Sequence, residues 1–119
     1  MKEVVALEKR ILGHISIQWQ SDDELLVVNR QFLDHDYYTD IITFDRNRGS
    51  RVHGDLAISV DRVVDHAITQ NIPLRDEFLR VVVHGVLHLC GHEDHTDEEK
   101  TRMRRLESGY IQMASKFGF

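Results

Sequence analysis

Half of the eight histidines in this 119-residue chain fall within residues 84–95. Two of them, His84 and His88, are four residues apart, so on a helix they project from one face about 40° apart. Two imidazoles one turn apart can bind the same metal ion, as they do in helical zinc motifs. The spacing therefore predicts that His84 and His88 are metal ligands.

A third ligand is expected just after this helix ends. Gly91, seven residues after His84, permits the left-handed conformation that commonly terminates a helix. In a longer zinc motif, a glycine at this position precedes a ligand at the tenth residue. The tenth residue here is Asp94 and the eleventh is His95. Asp94 is the favoured third ligand because it stands in this register, and zinc accepts a carboxylate; His95 is the alternative.

The residue after the first histidine bears on the type of hydrolase. In zinc peptidases with an H-E-x-x-H helix, it is a glutamate that serves as general base. This chain has Gly85, which cannot transfer a proton. The pattern disfavours a peptidase, although one that recruits its base elsewhere stays open. A closed structural zinc site also stays open, with His53 or His35 as the fourth ligand.

The composition bounds the class of protein. A chain that is 29% charged and 41% hydrophobic fits one globular domain, predicted over residues 1–119 and cytoplasmic. Its single cysteine, Cys90, excludes a disulfide framework; it lies about 240° from His84 around the helix, so a buried, inert thiol is expected. Because the net charge is −5, nucleic acid would have to bind at local basic clusters.

The metal-binding pair needs a rigid element, and residues 74–91 predict a helix too apolar to lie at the surface. A helix is predicted over residues 2–12, with Gly13 as its C-terminal stop. Two more helices are predicted to begin at capping boxes, one at Ser21 to Glu24 and one at Thr96 to Glu99. Another helix is predicted from Asp61, with Val64, Ala67, Ile68 and Ile72 facing inward, and strands are predicted at 15–19, 41–44 and 56–60. The sequence thus predicts an α+β fold: a small mixed sheet of three to four strands, four to five helices, and a central metal-binding helix.

Several motifs, in the same order along the chain, resemble those of the YbeY endoribonuclease family. The run from His84 to His95 is close to the family's H-G-x-L-H-L-x-G-x-D-H. Residues 39–44, TDIITF, resemble its T-D-V-L-S-F strand, and residues 54–59, GDLAIS, resemble its G-D-I-x-I strand. Val28-Asn29, Met103, Glu107 and the terminal Phe117-Gly118-Phe119 also match. The resemblance covers the chain from about residue 15 onward.

This resemblance implies an α+β fold, one zinc ion per chain held by the histidine motif, and cleavage of single-stranded RNA. The implied role is maturation of the 3′ end of small-subunit rRNA and ribosome quality control. The implied partners are single-stranded RNA, precursor rRNA and the small ribosomal subunit; neither a membrane nor DNA is expected.

Three departures from the family pattern are visible. The family usually has a histidine where this chain has Asp94, and commonly an arginine where it has Leu33. The chain is also expected to lack the family's first strand, which would leave a sheet edge that needs covering.

Three residues near the metal pair are candidates for catalysis. His92 and Glu93 are candidates for proton transfer because they follow the helix closely. Arg80, four residues before His84, could reach a phosphate at the metal and compensate for Leu33. The alternative for Arg80 is an ion pair one turn back on its own helix, with Asp76 or Glu77.

A basic cluster away from the histidine motif is predicted to bind RNA generally. Arg46, Arg48 and Arg51 lie in a glycine-containing loop between two predicted strands. Arginine suits phosphate because its planar group presents a fixed fork of donors. Arg102, Arg104 and Arg105, on the last predicted helix, could instead form a solvated face with neighbouring glutamates.

Overall fold

The structure, a computed structural model, describes residues 11–33, 39–49 and 51–116. In chain order its elements are β1 (Ile11–Gln20), α1 (Asp22–Leu33), β2 (Ile41–Asp45), β3 (Arg51–Ser59), α2 (Val60–Thr69), α3 (Leu74–Leu89) and α4 (Asp97–Lys116). The described residues thus form three strands and four helices, which confirms the predicted α+β fold.

The three strands form one mixed sheet in the order β1-β3-β2. β1 pairs with β3 in parallel, whereas β2 pairs with β3 antiparallel, with Ile41 opposite Ile58 and Asp45 opposite Gly54. Neighbouring residues on a strand point to opposite faces. Ile41 packs with the cluster around α3, and Ile42 packs with Leu25 of α1. Helices α1 and α3 therefore cover opposite faces of the sheet.

β1 begins where a helix was predicted to end. The helix over 2–12 is wrong at Ile11 and Leu12, which pair with β3, and Gly13 lies inside the strand; residues 2–10 lie outside the described part of the chain. The apolar spacing of Ile11 and Leu12 fits either element, and their pairing with β3, far along the chain, decides the outcome at these two positions. The register shifts between Leu12 and Ile15, where the His14 amide donates to His53 Nδ1 at 2.9 Å.

The outer edge of β1 has no partner strand within residues 11–33, 39–49 and 51–116. Its C-terminal half carries two exposed apolar side chains, Ile17 and Trp19. The Trp19 ring packs edge-on against Phe78 of α3, with ring centroids 5.1 Å apart.

α3 lies at the centre of the molecule, as predicted. Buried apolar side chains from β3, α2, α3 and α4 form one cluster: Val52, Leu56, Ile58, Val63, Val81, Val82, Val83, Val86, Leu87, Leu89 and Met103. Leu106 and Tyr110 of α4 pack against it. No helix in the described part of the chain has both the length and the apolar composition needed to span a membrane.

The buried face of α2 differs from the predicted one. Ala67 is buried as predicted, but Val63 is buried beside it, whereas Val64 is half-buried and Ile68 is 75% exposed. Val63 with Ala67 and Val64 with Ile68 both have the spacing of four residues that an apolar helix face needs. Because consecutive residues differ by about 100° around a helix, the two pairs lie on different faces. Packing against α3 selects the Val63 face.

Both predicted capping boxes are present. The Ser21 amide donates to Glu24 Oε1 at 3.0 Å, and the Glu24 amide donates back to Ser21 Oγ at 3.2 Å. The Thr96 amide donates to Glu99 Oε1 at 2.9 Å, and the Glu99 amide donates to Thr96 Oγ1 at 3.1 Å. The backbone hydrogen bonds from Ser21 and Thr96 lower the pKa of the two glutamates. The capping box of Thr96 and Glu99 begins α4 directly after the turn that follows α3.

Candidate metal centre

The two predicted histidine ligands face each other near the C-terminal end of α3. His84 Nε2 and His88 Nε2 are 3.0 Å apart. After the helix the chain turns back at Gly91, which has φ 102° as its predicted role requires. The Gly91 amide donates to the His88 carbonyl and the His92 amide to the Leu87 carbonyl, both at 3.0 Å. These bonds give the last turn of α3 a fixed exit direction.

The turn brings Asp94 to the histidine pair. Asp94 Oδ2 lies 3.4 Å from His84 Nε2 and 3.5 Å from His88 Nε2. Within the described residues, this is the one group of three His, Cys, Asp or Glu side chains close enough to hold a metal ion. The His95 side chain is 78% exposed and pairs with Glu93, Nε2 to Oε2, at 3.4 Å. The structure thus brings Asp94 to the pair and directs His95 away.

The hydrogen bonds at the other ring nitrogen fix the tautomer of each histidine. His88 Nδ1 lies 2.9 Å from the His92 carbonyl oxygen, which can only accept, so Nδ1 carries the proton. His84 Nδ1 lies 2.6 Å from Glu107 Oε2, and an ionised carboxylate also only accepts. In the neutral rings both Nε2 atoms therefore present lone pairs, directed at each other and at a carboxylate oxygen. Three acceptors that converge without a donor call for a cation between them.

The donor set suits zinc. Two ligands 2.0–2.1 Å from a tetrahedral ion are about 3.3 Å apart, close to the separations of 3.0, 3.4 and 3.5 Å among His84, His88 and Asp94. Three protein ligands leave a fourth position for water, as in catalytic sites. His53, one candidate for a closing fourth ligand, instead accepts a hydrogen bond from the His14 amide. The other candidate, His35, lies outside the described residues.

Close packing explains why no general base follows the first histidine. A Cβ atom at Gly85 would lie 2.7 Å from Ile41 Cδ1 and 2.9 Å from Leu56 Cδ2. This position therefore faces the sheet, away from the metal face of α3. A glutamate at position 85 would neither fit nor reach the metal, so the base of H-E-x-x-H peptidases has no counterpart at this position.

Glu107 on α4 is part of the centre, although its sequence position suggests no chemistry. The residue is only 5% exposed. Its Oε2 accepts from His84, and its Oε1 accepts from Arg80 Nη1 at 3.2 Å. The available signal was a carboxylate within the apolar stripe of Met103, Leu106 and Tyr110. Among the described residues, the ion pair of Arg80 is thus with Glu107 of α4 and not with Asp76 or Glu77 one turn back on its own helix.

Opposing effects act on the His84 side chain. Burial lowers the pKa of His84, whereas the hydrogen bond and charge of Glu107 raise it, with smaller contributions from Asp94 and Asp40. The pKa of His84 is raised overall, so the acidic groups around the ring outweigh its burial. The centre therefore has an electrostatic environment that favours a positive charge.

The remaining candidates surround this centre less closely. His92 is half-buried and its carbonyl holds His88, while the Glu93 side chain is exposed. Cys90 is half-buried, packs against the core cluster and lies outside the ligand group. The catalytic roles of Arg80, His92 and Glu93 stay predictions.

The arginine-containing loop is attached to the C-terminal end of α3. Asn47 Nδ2 donates to the Leu89 carbonyl at 2.6 Å, and Asn47 Oδ1 accepts from the His53 amide at 2.8 Å. Arg46 Nη2 is 2.9 Å from Asp55 Oδ1. Arg48 and Arg51 are exposed and join across the hairpin through their backbones.

A convergent group of two histidines and one carboxylate, with three protein ligands in all, is typical of the metal sites of hydrolytic enzymes. A family model described as Endoribonuclease YbeY matches residues 1–115. The Endoribonuclease YbeY of Phocaeicola vulgatus is 45% identical over 115 residues, 97% of this chain and 83% of that protein. That of Cytophaga hutchinsonii is 43% identical over 114 residues, 95% of this chain and 80% of that protein. The chain therefore belongs to the YbeY family of endoribonucleases.

A solved structure is also similar. The solution structure of TM1509 from Thermotoga maritima has a TM-score of 0.70 and 28% identity, and the match covers 98% of this chain and 77% of that one. The resemblance to the YbeY family is thus confirmed, and the match begins at residue 1, earlier than the sequence motifs indicated.

Proposed function

We propose that this chain is a zinc-dependent endoribonuclease that cleaves single-stranded RNA in the cytoplasm, with precursor rRNA of the small ribosomal subunit as its substrate. Residues 1–119 form one domain in this proposal. The small ribosomal subunit is the expected partner, because it carries the precursor.

One observation carries the zinc part of the proposal. His84, His88 and Asp94 direct three acceptor atoms, two Nε2 and one Oδ2, at one point, with separations of 3.0, 3.4 and 3.5 Å. Zinc favours this combination of two imidazoles and a carboxylate. In such a site zinc acts as a Lewis acid that polarises a phosphoryl oxygen or activates water.

The openness of the centre supports a polymeric substrate. The side chains of His84 and His88 are each 25% exposed and that of Asp94 is 33% exposed, so the ligands lie at the surface. A strand of RNA can reach such a site without entering a cavity. Arg80, whose side chain is 35% exposed, is placed to meet a phosphate with the N–H groups that it does not give to Glu107. His92 and Glu93 are the proposed proton-transfer groups.

The experiment compares one labelled RNA as a single strand and as a duplex, each with a chelator and after zinc is restored. We expect cleavage of the single strand only, lost with the chelator and regained with zinc. His84→Ala and His88→Ala should lose both bound zinc and cleavage. The matched control is His14→Ala, which removes an exposed imidazole outside the ligand group.

Two further substrates test the specificity. Precursor RNA containing the 3′ end of small-subunit rRNA should be cut faster than an unrelated single strand of equal length and composition. A quenched peptide library should stay intact. Peptide cleavage, or RNA cleavage that a chelator does not affect, would contradict the proposal.

A further inference from the structure

Glu107 is a buried acid on a helix whose other charged side chains are largely exposed. It lies between Met103, Leu106 and Tyr110, which pack on the core. A carboxylate in such a position costs free energy unless both oxygens have partners. Both do, because Oε2 lies 2.6 Å from His84 Nδ1 and Oε1 accepts from Arg80 at 3.2 Å.

We propose that Glu107 is a positioning residue of the metal centre, which with Arg80 fixes the orientation and tautomer of His84 and thereby couples the packing of α4 to metal binding. This inference rests on the metal site of the proposed function. Glu107 contacts Nδ1 of His84, on the side of the ring away from Nε2, so it is not itself a ligand of the ion.

The direction of the hydrogen bond determines the tautomer of His84. When His84 donates its Nδ1 proton to Glu107, its lone pair is on Nε2, the atom that faces His88 and Asp94. A carboxylate partner also makes the ring a better donor to a metal. The other tautomer would place a proton on Nε2, where the ion should bind. Glu107 therefore selects the tautomer that binds a metal.

The two histidines are held by different kinds of acceptor. His88 is held by a neutral backbone carbonyl from the turn directly after its own helix. His84 is held by an ionised side chain 23 residues further along the chain, on another helix. A charged acceptor forms the stronger hydrogen bond, so the state of α4 affects His84 far more than His88. Arg80, on α3, holds the second carboxylate oxygen and keeps the group in place.

Thermodynamic linkage connects metal binding to the packing of α4. A metal ion that binds only when His84 is correctly oriented stabilises every interaction that orients it. Those interactions join α3 to α4. Zinc binding should therefore slow hydrogen exchange of α4 amides around Glu107, and removal of the carboxylate should weaken zinc binding.

The test measures Zn²⁺ affinity by competition with a chelator in four proteins: the parent chain, Glu107→Gln, Glu107→Ala and Glu98→Gln. Removal of an outer partner of a metal-bound histidine typically lowers affinity about 10–100-fold. We expect a decrease in this range for Glu107→Ala. Glu107→Gln should show a smaller decrease, because the amide oxygen still accepts from Nδ1. Glu98→Gln changes an exposed residue on the same helix and should bind zinc like the parent.

A second readout reports the tautomer directly. Long-range ¹H–¹⁵N NMR of the zinc-free parent should show the His84 proton on Nδ1, and Glu107→Ala should show a mixture of tautomers. A purely structural role for Glu107 would not change this signal in a folded variant. If Glu107→Ala fails to fold, the parent chain alone still tests the inference, because its His84 proton must be on Nδ1.

The inference fails if the parent shows the proton on Nε2, or if folded Glu107 variants bind zinc like the parent. It also fails if the parent binds no zinc, and the zinc part of the proposed function would fail with it. A parent that binds zinc through His84 but cleaves no RNA would overturn the proposed function alone. A parent that cleaves RNA while its Glu107 variants bind zinc normally would overturn this inference alone.

Discussion

The two candidate histidine ligands are alike in the sequence but differ in the groups that hold their rings. His84 is fixed from a distant helix, and His88 is fixed from the adjacent turn. The third candidate ligand, Asp94, belongs to the same turn as the carbonyl that holds His88. A change in that turn should therefore affect two candidate ligands at once.

The comparison of Asp94→Ala with His95→Ala tests the third ligand. Asp94 Oδ2 is within 3.5 Å of both Nε2 atoms, whereas His95 pairs with Glu93 at the surface. We expect zinc affinity to fall at least about 10-fold in Asp94→Ala, because the ion loses a charged ligand. His95→Ala should bind zinc like the parent. Equal decreases in a chelator competition would show that both residues take part.

A second buried carboxyl, that of Glu77 on α3, provides a test of how stability depends on pH. It is only 6% exposed, and burial raises its pKa, which outweighs the opposing effects of Arg80 and His66. The folded protein thus binds this proton more tightly than the unfolded chain does. Its contribution to the free energy of unfolding is present at low pH and is lost as the pH rises from about 4.3 through the folded pKa.

Glu77→Gln should therefore be more stable than the parent at pH 7.5. We expect its Tm to be higher by about 2–5 °C, with the difference shrinking toward pH 4. Thermal unfolding at four values between pH 4 and 7.5 measures the difference. Glu98→Gln makes the same change at an exposed position and should shift Tm little at any of them. A difference that is constant with pH would show that burial of the charge is not the cause.

At the scale of the elements, local signals predicted α3 and both capping boxes. The apolar run of α3, its histidine spacing and the glycine after it all lie within one segment, so the sequence reveals them together. Three features depended on interactions between residues far apart in the chain. They are the start of β1 at Ile11, the buried face of α2 and the bond from Glu107 to His84. Local spacing leaves each of these open, and packing against a distant element decides it.

Two glycines in helices offer a matched test of the packing between α3 and the sheet. A methyl group at Gly85 would lie 2.7 Å from Ile41 Cδ1, whereas Gly109 of α4 has no atom within 4 Å of such a group. Gly85→Ala should lower the free energy of unfolding by about 1–3 kcal/mol through overpacking. Gly109→Ala should raise it by about 0.5–1 kcal/mol, since alanine favours a helix. Urea denaturation measures both, and a stabilised Gly85→Ala would disprove the close approach.

At the scale of the whole molecule, the charge opposes the proposed substrate. The net charge is −5, so RNA must be held by local clusters against the overall field. Arg46 and Arg48, together with Arg51 at the start of β3, form one such cluster, and Asn47 attaches it to the Leu89 carbonyl, the last of α3. This attachment places the loop at the C-terminal end of the helix that carries the candidate ligands.

Substitution of Arg46, Arg48 and Arg51 by alanine should weaken RNA binding at every sequence. For each phosphate that the variant no longer binds, the slope of log K against log salt should become shallower by about 0.7 for a single strand. Fluorescence anisotropy at several salt concentrations, with a chelator to prevent cleavage, measures this slope. Alanine at Arg102 and Arg105 removes two exposed arginines from α4 and serves as the control. An unchanged slope in the loop variant would place the RNA elsewhere.

The bond between Glu107 and His84 also sets an order of events during synthesis. A growing chain contains His84, His88 and Asp94 before it contains Glu107, which is made 13 residues after Asp94. Until α4 has been made and has packed, the ring of His84 lacks its carboxylate partner. A nascent chain therefore carries all three candidate ligands but not the carboxylate that orients the first of them. The orientation of His84 therefore requires that α4, the last helix that the structure describes, is packed on α3.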